Sequence, residues 1–150
     1  MTIAQTATTS FKVELPQGLH NFGPASPDTF KIALYTAAAN LDATTAVYDP
    51  LAAGQVVGTG YTIGGNTLVI SVTPVAANNI AGVPTSYWSF ANTSWTNATF
   101  TARGALIYNS TNGNRSVAVL DFGSDKTVSN TTFQIVFPTP DANSAIVRIS

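Results

Sequence analysis

The chain has 150 residues, about one domain's worth, and only 13 are Asp, Glu, Lys or Arg, which is 9% against a usual share of about 25%. Apolar types at 45%, with 15 aromatic residues, supply a core and exclude a disordered chain, while no run approaches the roughly 18 uninterrupted apolar residues of a membrane span. A net charge of −1, with the six cations Lys12, Lys31, Arg103, Arg115, Lys126 and Arg148 dispersed, excludes nucleic-acid or acidic-lipid binding driven by bulk electrostatics.

What replaces charge is Thr (22 residues), Ser (12) and Asn (12). The chain has no cysteine, so it has no disulfide framework, thiolate nucleophile or thiolate metal site. The first ten residues, Met1-Thr2-Ile3-Ala4-Gln5-Thr6-Ala7-Thr8-Thr9-Ser10, show neither a positive n-region nor an apolar h-region. Synthesis in a cytoplasm is therefore expected. These residues are too polar to form a core element and read as an extended arm, lying along a neighbouring subunit, ahead of a single β-rich domain over residues 11–150. Ser10 to Gly18 suits one or two helical turns, with Ser10 as N-cap, Gly18 as stop, Glu14 inside and Pro16 cutting it short.

Strand signals then dominate. Thr29 to Thr36 alternates, with Phe30, Ile32 and Leu34 on one face and Lys31, Ala33 and Tyr35 on the other. Strands are also expected at Thr67 to Pro74, Ser86 to Phe90, Thr99 to Tyr108, Ser116 to Phe122, Thr131 to Phe137 and Ala145 to Ile149. Gly104 inside one of them marks a bulge or a close backbone approach. Turn chemistry separates the runs at Gly64-Gly65-Asn66, Thr111-Asn112-Gly113-Asn114, Gly123-Ser124-Asp125-Lys126 and Pro138-Thr139-Pro140-Asp141; Asn112-Gly113 is the strongest hairpin signal. The set predicts a mainly β fold, an antiparallel β-sandwich or jelly-roll-like barrel with one short N-terminal helix.

Catalytic groups are sparse, and neither enzymatic activity nor a cofactor is expected. His20 is the only imidazole and reads as a hydrogen-bonded structural histidine. Asp121 and Asp125 provide two carboxylates where a calcium loop concentrates several oxygen ligands, so no metal site is expected. Tyr87-Trp88-Ser89-Phe90 and Trp95 offer a candidate aromatic platform through Tyr87, Trp88 and Trp95, although alternation sends Trp88 and Phe90 to one face and Tyr87 to the other. Five Asn-x-Ser/Thr triplets, at Asn92, Asn97, Asn109, Asn114 and Asn130, read as products of composition rather than glycan sites. The glycines of Gly58-Thr59-Gly60-Tyr61-Thr62-Ile63-Gly64-Gly65 lack the Lys-Ser/Thr ending of a phosphate loop and serve backbone bends.

Several segments together resemble small structural proteins of tailed bacteriophages: Phe11-Lys12-Val13-Glu14-Leu15 through His20-Asn21-Phe22 and Thr29 to Tyr35, then Gly58 to Gly65, Thr101 to Tyr108, Val119 to Lys126, Phe137-Pro138 and Ala145 to Ile149. The resemblance spans about residues 10 to 150. It implies a virion component and brings no catalytic residue. The expected role is a capsid decoration or cement protein, outside the capsid, partnered by the major capsid protein and by copies of itself, a trimer being one such arrangement. A tail or head–tail connector component and a carbohydrate-binding adhesin module are the alternatives. Low charge suits such a role, because ions are costly to bury at an interface unless paired.

Overall fold

Strand β2 (Phe30–Tyr35) sits at the centre of the fold, and both of its alternating faces are buried. In a computed structural model, which describes all 150 residues, Phe30, Ile32 and Leu34 join one apolar cluster while Ala33 and Tyr35 join another. The remaining elements are β1 (Thr6–Ala7), α1 (Thr9–Glu14), β3 (Asn66–Thr67), β4 (Ile70–Asn78), β5 (Pro84–Phe90), β6 (Thr93–Asn109), β7 (Arg115–Ile135) and β8 (Val147–Ile149). They form a five-stranded sheet in the order β1-β7-β6-β2-β3 and a three-stranded sheet in the order β4-β5-β8, with antiparallel pairing throughout. The mainly β architecture with one short helix is as the sequence predicts. The two sheets do not close into a barrel, so the sandwich-like alternative is the one realised.

The main core lies between the sheets. Phe30, Ile32 and Leu34 meet Phe100 and Ala102 of β6, Trp88 and Phe90 of β5 and Val147 of β8. Phe22, from the loop after α1, stacks on Phe30 at 4.2 Å and packs against Trp88 at 4.9 Å. Each such side chain contributes about 1.5–3 kcal/mol by leaving water. The opposite face of the five-stranded sheet is covered by Ile3, Ala39, Leu41 and Tyr48, which pack over Ala33, Tyr35, Leu106, Tyr108 and Val119. Tyr48 stacks on Tyr108 at 4.2 Å, and the Tyr108 hydroxyl donates to the Gly64 carbonyl at 2.8 Å, which pins the segment between β2 and β3 against the sheet.

Two predicted strands are one. Ser116 to Phe122 and Thr131 to Phe137 were expected to be separated by a turn at Gly123 to Lys126, yet β7 runs through this stretch to Ile135. The partner β6 is long enough to template it. Gly104 opposes Asp121 while Ala102 opposes Lys126, so the turn-forming residues are absorbed as a bulge against a continuous partner. The Asn112-Gly113 hairpin connects β6 to β7 as expected. The helix N-cap is Thr8 rather than Ser10: its backbone is extended and its Oγ1 accepts from the Phe11 N–H at 3.4 Å. The helix ends at Glu14, ahead of Pro16, and never reaches Gly18.

Candidate interaction surface

The arm expected to reach a neighbour is built into its own domain. Ala4 N–H donates to the Leu41 carbonyl and Leu41 N–H to the Thr2 carbonyl, both at 2.9 Å. Thr6 and Ala7 pair with Val119 and Ala118 as edge strand β1, and Thr8 N–H donates to the Val117 carbonyl at 3.1 Å. Thr9 and Ser10 belong to the first turn of α1, so the extended segment stops at Thr8. The physical reason is the backbone of β7, whose outer groups need partners that a short Thr- and Ala-rich strand supplies without bulk. Ile3 seats where Gly104 leaves room: a Cβ at position 104 would stand 2.8 Å from Ile3 Cγ2 and 2.5 Å from the Leu120 carbonyl oxygen. The glycine thus marks the close approach predicted from the sequence. Among the ten residues, Met1, Thr2, Ala4, Gln5 and Thr9 keep exposed side chains.

The aromatic platform is not assembled. Trp88 and Trp95 are only 2% and 4% exposed. Trp88 faces Phe11 and Phe22, and Trp95 faces Phe133 at 5.9 Å. Strand alternation explains both, because each shares its inward face with a core phenylalanine. Tyr87 alone points outward, half-buried, in a cross-strand row with Val75 of β4 and Arg148 of β8. A stacking surface through all three rings is excluded by this geometry.

His20 is structural. Its ring is buried between Glu14 Oε2, 2.9 Å from Nε2, and Asn109 Nδ2, 3.2 Å from Nδ1. The Asn109 amide is oriented by two backbone N–H groups, of Thr111 and Asn112, that donate to its Oδ1 at 3.1 and 3.2 Å. Its Nδ2 therefore faces the ring as a donor, Nδ1 accepts, and Nε2–H donates to Glu14. Glu14 Oε1 also accepts from Arg115 at 2.6 Å. Burial alone would raise the Glu14 carboxyl, but the hydrogen bonds from His20 and Arg115 hold it below the ordinary carboxylate value. Asp28 completes the clasp by accepting from Asn109 at 2.7 Å and from Asn112 at 3.2 Å. The network ties α1, the loop at 19–28 and the β6–β7 hairpin together.

Asp121 is paired with Arg103 at 3.0 Å and accepts from the Gly123 N–H at 2.9 Å, which holds its carboxyl below the usual range. The Asn residues of the five triplets have structural roles as well. Asn97, Asn114 and Asn130 adopt positive φ at irregularities and turns, Asn109 belongs to the clasp, and Asn92 Oδ1 accepts from the Phe137 N–H at 2.9 Å.

The feature that periodicity missed is the distribution of charge. Between Asp49 and Arg103 the sequence has no charged residue and no histidine. This stretch forms β3, β4, β5 and the first half of β6. It also holds seven exposed large aliphatic side chains: Leu51, Val57, Ile63, Val69, Val75, Ile80 and Val83. Strand β4, at the edge of its sheet, is exposed along most of its length. The β4–β5 turn that carries Ile80, 95% exposed, is nevertheless ordered by hydrogen bonds. Asn79 Oδ1 accepts from Ala81 and Val83 N–H at 3.0 Å each, and Ile80 N–H donates to Asn143 Oδ1 at 2.7 Å. All three ion pairs lie outside the stretch. The signal was visible in the sequence as a gap in the positions of the charges.

Comparison with known proteins finds no matching family model, no matching curated protein and no matching solved structure. No helix is long and apolar enough to cross a membrane.

Proposed function

We propose that this chain is a structural protein of a bacteriophage virion, a decoration or cement protein that binds the outside of the major capsid lattice and stabilises it. The observation that carries the reading is the charge-free stretch between Asp49 and Arg103, with its ordered, outward-facing aliphatic side chains. Covering a fully exposed aliphatic side chain such as Leu51 or Ile80 gains about 1.5–3 kcal/mol, and a half-exposed one proportionally less, whereas an unpaired ion buried in the same place costs several kcal/mol. A surface of this kind favours broad contact with protein and has no use for a phosphate backbone. The resemblance of residues 10–150 to phage structural proteins supports the assignment to a virion. The mechanism is clamping: one copy bridges capsid subunits, associates with neighbouring copies, and resists pressure from within.

Cryo-electron microscopy of purified particles of the encoding phage tests this reading. Hundreds of symmetry-related copies on the capsid exterior, with the β4–β5 hairpin at the contact, are expected. A handful of copies at the tail or neck, or absence from the particle, would overturn it.

A further inference from the structure

Strand β8 is paired on one side only, to Ser86, Tyr87 and Trp88 of β5, and forms the edge of the three-stranded sheet. Outside that ladder no hydrogen bond uses the backbone of residues 146–150, so the outward donors and acceptors of β8 have no partner in the chain. Strand β1 is the corresponding edge of the five-stranded sheet. Both edges line one cleft of about 470 Å³, and a second cleft of about 500 Å³ against α1 shares Ala7, Val147 and Arg148 with it. The two sheets of the sandwich therefore meet along an open seam.

The cleft against α1 is mainly apolar, through Phe11, Leu15 and Val147, the other mixes apolar residues with Gln5, Thr6, Asn79 and Thr85, and neither contains Asp or Glu. Their only charged side chains are Lys12 and Arg148, both exposed and neither in an ion pair, whereas Arg103 and Arg115 are each held by a carboxylate. The geometry points to a docking site in which an extended acidic segment of a partner protein adds to the free edge of β8. Backbone groups at a sheet edge are satisfied by a further strand, and alternation then sends one set of its side chains into the apolar floor. The other set carries the carboxylates that Lys12 and Arg148 meet. Charge complementarity selects this occupant over a copy of β4, which has no charge to offer. The site borders the β4–β5 hairpin, whose Asn79 and Thr85 line the first cleft, but it uses the free edge of β8 and not the exposed aliphatic side chains of the hairpin, so it goes beyond the capsid-binding reading and can fail without it.

Panning a random 12-residue peptide display library on the full chain tests the inference. Enriched peptides are expected to alternate β-branched residues with Asp or Glu. A synthetic copy of one should shift the backbone amide resonances of residues 146–150 and 5–7. The double variant Lys12→Glu/Arg148→Glu alters two exposed side chains, and its spectrum elsewhere reports that the fold is kept. It should bind the acidic peptide at least tenfold more weakly and bind the same peptide with Lys in place of the acids more tightly. Failure to enrich any binder, enrichment without acidic residues, shifts at residues 70–78 instead, or equal binding by the double variant would overturn the proposal. So would self-association in sedimentation that the double variant abolishes, since the seam would then belong to a second copy.

Discussion

The five-stranded sheet is packed on both faces, and the three ion pairs of the molecule lie on it or beside it. The three-stranded sheet shares one face with the core and belongs largely to a stretch with no charge, whose edge strand and hairpin tip are exposed. Where the chain must hold itself together, it uses apolar layers together with ion pairs and buried hydrogen bonds that lock specific elements. The stretch that holds seven of the twelve exposed large apolar side chains has no charge, and its β4–β5 turn is held by Asn79. Exposed apolar side chains on an ordered, uncharged tip are the pattern of a contact surface, since scattered ones on a charged surface carry no such meaning.

The largest expected contrast between the regions is at their glycines. Gly65 has φ +71°, and a Cβ there would overlap the Ile32 carbonyl oxygen of the central strand, so Gly65→Ala should cost more than about 4 kcal/mol or prevent folding. Gly82, with φ +76° in the exposed hairpin, has open space around it, and Gly82→Ala should cost about 1–2 kcal/mol. Urea titrations of both variants read the difference directly. Next in size is the core: Phe30→Ala should lose about 3–5 kcal/mol, while Ile80→Ala stays within about 0.5 kcal/mol. Equal losses would break the distinction between the two regions.

The N-terminal segment should behave as part of the first region. Ile3→Ala is expected to cost about 2 kcal/mol in thermal or urea unfolding, whereas Met1→Ala, on an exposed side chain, should be silent. The clasp supplies a pH signature. Glu14 titrates lower in the folded chain than its ordinary value of 4.5, so its contribution to stability is present above that value and is lost as pH falls through the folded one. Acid unfolding of Glu14→Gln should accordingly show a shallower loss of stability below about pH 4.5 than the natural chain. An unchanged slope would show that the clasp does not carry the effect.

Much of the fold was legible in local sequence. The alternation in Phe30 to Tyr35, the Asn112-Gly113 turn and the tightness at Gly104 each reflect neighbours within a few residues or a steric demand at one position. What could not be read locally were the tertiary decisions. Gly123 to Lys126 has the chemistry of a turn, but a 17-residue partner strand converts it into a bulge. The first residues look free because they are polar and small, yet the unpaired edge of β7 and the gap above Gly104 recruit them. Trp88 and Trp95 resemble a platform in one dimension, and only their inward partners Phe22 and Phe133 reveal them as core. The charge-free stretch needs no structure to be seen; the fold adds that seven of its large aliphatic side chains are exposed and that the turn carrying Ile80 is held by hydrogen bonds.

The central claim, that the uncharged hairpin region is the contact surface, is tested most directly by placing charge on it. Ile80→Lys/Val83→Lys changes two side chains at the hairpin tip, one fully and one partly exposed, so its melting temperature should stay close to that of the natural chain. Occupancy of the double variant on phage particles assembled without this protein, measured by co-sedimentation, is predicted to fall at least tenfold. Occupancy equal to that of the natural chain would contradict the account.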